Sequence, residues 1–207
     1  MASSREELIK EYRVNEILEA ARRVIGRHGF EGTTIDRVAE EARIAKGTIY
    51  LYFPKGKVDL LHAAVFEGLR AIMAETHKLD RPQDPPLERV RHFVLGQFRI
   101  LSSHQDFLKA FELDKSFVTF APGDALGEKL RSLLSEYLDY AASILEAAAR
   151  GGAIRPVDPK FAAFILSEMT TACLRRRLIG LADTPVEDDA EALLDLFLRG
   201  VQAAPCG

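Results

Sequence analysis

Every long stretch of this chain spaces its apolar residues as a helix would, and no stretch alternates them as a strand would. Prolines at 54, 82, 85, 86, 122, 156, 159, 185 and 205 fall between these stretches, where they stop or start helices without interrupting one. Together the two features restrict the fold to helices packed on helices. Val14, Ile17, Leu18, Ala21, Val24 and Ile25 mark a first helix, with Gly29 offering a left-handed stop before Phe30. Ile35, Val38, Ala39 and Ala42 form a short second one, opened by the capping-box-like run Thr33-Thr34-Ile35-Asp36. Ile44, Ile49 and Phe53 mark a third, ended by Pro54 and Gly56, and a fourth runs from about Val58 to His77. A fifth begins at Leu87, a sixth at Phe107, and the longest pattern runs from Leu126 to Ala148 and closes at Gly151-Gly152. Two more cover Phe161 to about Leu181 and Ala190 to about Val201, giving an all-α protein of about nine helices.

The 207 residues are 47% hydrophobic, enough for one medium domain or two small ones to bury a core. Cys173 and Cys206 cannot supply a disulfide framework, which fits a reducing cytoplasm. The first residues lead into no apolar signal region, and no run of uncharged apolar residues is long enough to span a bilayer. The expectation is a cytoplasmic protein with no membrane partner. Residues 1–57 carry 11 Lys and Arg against 9 Asp and Glu, whereas the rest carries 17 against 22. A surplus of two indicates nucleic acid only if the cations share a face.

Residues 34–53 have the form of a helix-turn-helix: two short helices, a tight turn, and a second helix apolar at only two positions. At 100° per residue Ile49 and Phe53 fix the buried side, so Gly47, Thr48 and Leu51 point away toward a DNA groove. Tyr50 and Tyr52 fall on the flanks, where a phenol reaches phosphate or packs with its hydroxyl merely wet. Lys46 adds charge at the helix start, and Gly47 lets backbone approach DNA. Thr34 is a helix cap that can also meet phosphate. The alternative for the same spacing is an ordinary helical hairpin within a bundle.

The chain resembles the TetR (tetracycline-repressor-like) family of transcriptional regulators over roughly residues 12–62. Its motif is Thr-x-x-x-Ile-Ala-x-x-Ala-Gly-Val-Ser-x-Gly-Thr-Leu-Tyr-x-Tyr-Phe-x-x-Lys, and Thr34, Ala39, Ala42, Gly47, Thr48, Tyr50, Tyr52, Phe53 and Lys57 match it. Three positions depart. Arg43 stands where the family usually has glycine at a left-handed helix end, and can recover the cost by contacting phosphate. Ala45 stands where serine commonly caps the recognition helix. Pro54-Lys55-Gly56-Lys57 holds one residue more than the usual spacing, so Lys57 aligns with the family's basic residue through a gap.

The resemblance implies a DNA-binding domain over 1–57, a ligand-binding and dimerisation domain over 58–207, and a homodimer on a palindromic operator of double-stranded DNA. It also implies release by an apolar or amphipathic small-molecule effector, hence a repressor, with no cofactor. Phe93, Phe98, Phe107, Phe111, Phe117 and Phe120 crowd half of the twelve phenylalanines together. Such a cluster is core or pocket lining, and the candidate ligand contacts are Phe66, Phe93, Phe98, Phe107, Phe111, Phe117, Tyr137, Phe164 and Met169. Arg175-Arg176-Arg177 either pairs with Glu187, Asp188, Asp189 or Glu191, or turns one guanidinium toward an acidic ligand. Leu193, Leu194, Phe197, Leu198 and Val201 make a wide apolar stripe that a lone monomer is expected to expose, which assigns the dimer interface to the last two helices. No Glu-x-x-His, His-Glu-x-x-His, Gly-x-Ser-x-Gly or Walker-type motif occurs, so neither a metal site nor an enzyme is expected. The alternative is a helical small-molecule binding protein without DNA-binding activity.

Overall fold

The computed structural model describes residues 5–113 and 124–201, which hold nine helices and no strand. In chain order these are α1 (Arg5–Gly32), α2 (Ile35–Ala42), α3 (Lys46–Tyr52), α4 (Lys57–Lys78) and α5 (Pro86–Ser103), then α6 (Gln105–Leu113), α7 (Ala125–Arg150), α8 (Pro159–Leu178) and α9 (Val186–Val201). Phe117, Phe120 and the side chain of Val201 lie outside the described residues. No described helix is long and apolar enough to cross a membrane.

The expected helix boundaries mostly hold, and their exceptions have local causes. α1 begins at Arg5, before its apolar stripe, because residues such as Glu6, Glu7, Leu8 and Lys10 favour helix without needing burial. Gly29 breaks it with φ 66° and ψ −179°, a conformation reserved for glycine, and turns Phe30 into the core. The buried Thr33 hydroxyl donates to the Gly29 carbonyl at 2.7 Å and fixes that break. Pro86 and Pro159 sit in the first turns of α5 and α8, where a missing N–H costs nothing.

The chain forms two compact units. Among the described residues one holds 5–70, 106–113 and 124–128, the other 71–105 and 129–201, so the division of packing falls within α4 and near the start of α7. In the first, α1 packs on α2 and α2 on α3 around Ile17, Leu18, Val24, Ile25, Val38 and Ile49. Gly68 of α4 lies so close to the Phe107 ring of α6 and to Arg22 of α1 that an added Cβ would stand 2.9 Å from both.

In the second unit, α5, α7, α8 and α9 share a core that includes Phe93, Val94, Phe98, Tyr137, Ile144, Leu145, Leu166, Leu193, Leu194 and Phe197. This overturns one expectation. The α9 stripe of Leu193, Leu194 and Phe197, with Leu198 half-buried, is covered by this chain's own α5 and α8, leaving Leu194 only 1% exposed. The stripe is therefore intramolecular core, and the apolar residue that α9 does expose is Leu196, at 67%.

Leu194→Ala should consequently act as a core truncation, lowering unfolding free energy by about 2–5 kcal/mol in urea denaturation. A loss below about 1 kcal/mol would show that the stripe is not core.

Candidate nucleic-acid interface

The turn between α2 and α3 is built by backbone bonds. Thr34 caps α2, its hydroxyl oxygen accepting from the Arg37 N–H at 3.2 Å. That makes Asp36 the second helical residue and not the third, so the capping-box pairing expected of it does not form. At the other end Arg43 adopts φ 55° and ψ 43°, the one positive φ at a non-glycine among the described residues. Its N–H donates to the Glu40 carbonyl and that of Ile44 to the Ala39 carbonyl, both at 3.0 Å, which is a Schellman closure with arginine where glycine is favoured. Ala45 precedes α3 without a side-chain cap.

Within α3, Ile49 is fully buried and Phe53 follows it into the core. The opposite side is open: Lys46, Gly47 and Tyr50 are exposed, Leu51 is 81% exposed, and Thr48 and Tyr52 are half-buried. Gly47 has no positive φ, and a Cβ placed there would meet nothing within 4 Å. A helical glycine costs about 1 kcal/mol relative to alanine, and nothing inside the chain requires this one. Gly56 has φ 70°, and an added Cβ there would stand 3.2 Å from the Tyr50 ring, so both its backbone and its surroundings favour glycine.

The cations of this unit are largely tied. Arg23 Nε donates to Glu41 Oε1 at 2.7 Å and Arg27 reaches the other Glu41 oxygen; these bonds hold the Glu41 carboxyl below its ordinary range. Lys46 Nζ lies 2.8 Å from Asp36 Oδ1, which holds the ammonium charged above its ordinary range. Lys57 Nζ donates to the Glu31 carbonyl at 3.0 Å, and Arg37 donates to that of Gly32. Arg43 is exposed next to the start of α3. The Asp36 and Glu41 pairings were not anticipated from sequence, because each joins residues ten or more apart on different helices.

The ligand candidates are divided between the two units. Phe66, Phe107 and Phe111 lie in the first unit, with Phe107 buried and the other two half-buried. Phe93, Phe98 and Tyr137 are buried together in the second unit's core, with Met169 packed against them and the Phe93 and Tyr137 rings 5.8 Å apart. Phe164 is exposed, because α8 turns Ala162, Ala163, Leu166 and Thr170 inward and Phe164 falls off that phase. Of the arginines at 175–177, Arg176 and Arg177 both pair with the buried Asp189, at 3.2 and 2.6 Å, and Arg175 is exposed.

What sequence reasoning missed in that core is polar. Gln97 Nε2 donates to the Tyr137 hydroxyl, Thr170 Oγ1 lies 3.4 Å from Gln97 Oε1, and Thr76 bonds the Ile72 carbonyl at 3.1 Å. The His77 and Tyr140 rings lie 3.9 Å apart, tilted by 38°, and burial lowers the His77 pKa. Arg89 grips Asp80 through two bonds of 3.0 and 2.7 Å. The signal was available, since Gln97 and Thr170 interrupt the apolar stripes of their helices.

A seven-residue helix anchored by one fully buried side chain and set on a tight turn has the form of the second helix of a helix-turn-helix. The family model for bacterial regulatory proteins of the tetR family matches residues 17–64. Over 158 residues the chain is 30% identical to the HTH-type transcriptional regulator YhgD of Bacillus subtilis, spanning 76% of this chain and 80% of that one. It is 24% identical over 140 residues to the fatty acid metabolism regulator protein of Bacillus subtilis, 68% of this chain and 70% of that. The structure of the transcriptional regulator FadR from Bacillus subtilis in complex with stearoyl-CoA has the same fold, with a TM-score of 0.75 at 21% identity over 90% of this chain and 98% of that one. The chain belongs to the TetR family of transcriptional regulators and is a DNA-binding regulator.

The left-handed corner generates a stability prediction. Arg43→Gly should raise the urea midpoint, by about 1 kcal/mol of unfolding free energy, whereas Arg43→Ala, which keeps the Cβ, should not. Equal effects of the two would remove backbone strain as the explanation.

Proposed function

We propose that the protein is a repressor that binds a palindromic operator as a homodimer and leaves it when an apolar or amphipathic ligand binds. The observation that carries the reading is the outward face of α3, where Leu51 is 81% exposed and Gly47 opens on empty space. Residues 1–57 serve DNA binding and residues 58–207 serve ligand binding and dimerisation. Thr48 and Leu51 read base edges, through a hydroxyl and through packing on a thymine methyl. Thr34, Arg43, Lys46, Tyr50, Tyr52 and Lys57 meet phosphate, and Lys57 must then release or share the Glu31 carbonyl it holds.

The ligand class is drawn from the relatives, one named for fatty acid metabolism and one solved with stearoyl-CoA. In this reading the acyl chain lies among Phe93, Phe98, the Tyr137 ring and Met169 of the second unit, and Gln97 and Thr170 orient its carbonyl. α4 carries the response, being one unbroken helix from Lys57, at the DNA side, to the turn bearing Met73, Thr76 and His77. Half-sites one turn apart lie at about 34 Å, so a displacement of a few ångströms breaks register.

Dimerisation uses the outer faces of α8 and α9, and the inner α9 stripe plays no part in it. Phe161, at 65%, Phe164 and Leu196 are exposed on these helices and are the apolar residues a second copy would cover.

In gel shifts with its own upstream DNA, the wild type should bind, and a Lys46, Thr48 and Tyr52 triple alanine variant should lose binding while keeping its circular dichroism. Stearoyl-CoA or a shorter acyl thioester should raise the melting temperature and release the wild type from the same DNA. Unchanged binding by the triple variant refutes the interface, and retention of DNA with saturating acyl thioester refutes the ligand class. By sedimentation, Phe161→Glu with Phe164→Glu should convert a micromolar dimer to a folded monomer, and a persisting dimer refutes the outer faces.

A further inference from the structure

We propose that Asp36 is a specificity-determining residue of the DNA interface: its carboxylate holds Lys46 in the free protein and penalises DNA that offers no base-edge amino group opposite it. The inference rests on the reading of α3 as the recognition helix. Asp36 stands in the first turn of α2, yet its two oxygens lie 2.8 and 3.0 Å from the Nζ of Lys46, the residue that begins α3. The carboxylate is thus placed beside the DNA-entering end of α3, with its side chain 71% exposed.

Neither capping nor stability explains it. Thr34 already caps α2, and an ion pair this exposed adds little to folding. On DNA the same carboxylate matters more, because affinity without sequence preference comes from cations on phosphates and a nearby anion subtracts from it. The effect is large in proportion here, since residues 1–57 hold 11 basic side chains against 9 acidic ones and Arg23 and Arg27 already share Glu41. When α3 enters a groove, Lys46 exchanges Asp36 for a phosphate or holds both. The freed carboxylate is then tolerated where a donor such as the cytosine N4 amino group faces it, and repelled where only phosphate does. Such a residue lowers affinity for wrong sequences more than for the right one, which is how specificity by exclusion works.

The test uses the full chain. Wild-type protein selects its preferred duplex from a random-sequence pool, and Kd for that duplex and for a scrambled one is measured over a salt series. The same is done for Asp36→Asn and Asp36→Ala, with urea denaturation of each. For both variants the expected result is tighter binding of the scrambled duplex with a salt slope steeper by about one. The ratio of selected to scrambled affinity should fall by about five- to tenfold, and repeated selection should lose its preference at one base pair per half-site. If the two duplexes shift by the same factor, or neither shifts beyond twofold, Asp36 is only a surface partner of Lys46 and the proposal fails. If wild-type protein selects no sequence, the recognition-helix reading fails first, a separate result.

Discussion

The corner at Arg43 is the constraint on which the DNA-facing surface depends. α3 has seven residues, and no helix that short persists alone in water. Its start gains nothing from a side-chain cap, since Ala45 stands there. What holds it is the Schellman closure through Arg43 and Ile44 at one end and the burial of Ile49 and Phe53 along one side. With its inward side reduced to these two residues, nearly everything else on α3 is free to face outward. The strain of a left-handed arginine is the cost of setting this angle without glycine, and it places a guanidinium next to the recognition helix.

The elements and the buried side of α3 were legible because their signals are local. A 3.6-residue period needs only its own segment, and Ile49 and Phe53 fix the rotational phase of α3. What failed depended on distant residues. The stripe of Leu193, Leu194 and Phe197 is genuinely amphipathic, but amphipathicity says only that something covers it. Whether α5 of the same chain or a second molecule does so is decided about a hundred residues away, where Arg91 also pairs with Glu191. The first turns of α1 failed differently, lacking any stripe to announce a helix. Phe164 was grouped with the ring cluster by residue type, although the phase of Ala162, Ala163 and Leu166 turns it outward.

The second unit's core shows a further limit of reading by residue type. Aromatic rings drew attention there, yet Gln97, Tyr137 and Thr170 set the stricter requirement, because a buried polar group left unpaired costs about 1–3 kcal/mol. Here the amide of Gln97 meets the Tyr137 hydroxyl and lies near the Thr170 hydroxyl, linking α5, α7 and α8. Tyr140 is less settled: its buried hydroxyl faces Asp80 without closing a well-formed bond, and burial and that carboxylate raise its pKa. A core joined through polar contacts can exchange partners with an entering carbonyl or hydroxyl, whereas a purely aliphatic one offers such a group nothing.

These arrangements bear on how tightly a regulator of this kind should hold DNA. A ligand can release it only by preferring the unbound conformation, and moving a population from nearly all bound to nearly all free takes about 5.5 kcal/mol of differential affinity. An acyl chain burying apolar surface at about 25 cal/mol per Å² can supply that only if a large part of its contact exists in one conformation alone. The demand falls if DNA affinity is moderate at the start. Under the proposed interface, the pairing of Lys46 with Asp36 and of Lys57 with a backbone carbonyl would moderate it, since each cation would release or share a partner on meeting phosphate. In the proposed function, restrained electrostatics at the DNA side and a ligand-binding core would be two parts of one requirement, that release lie within the reach of a small molecule.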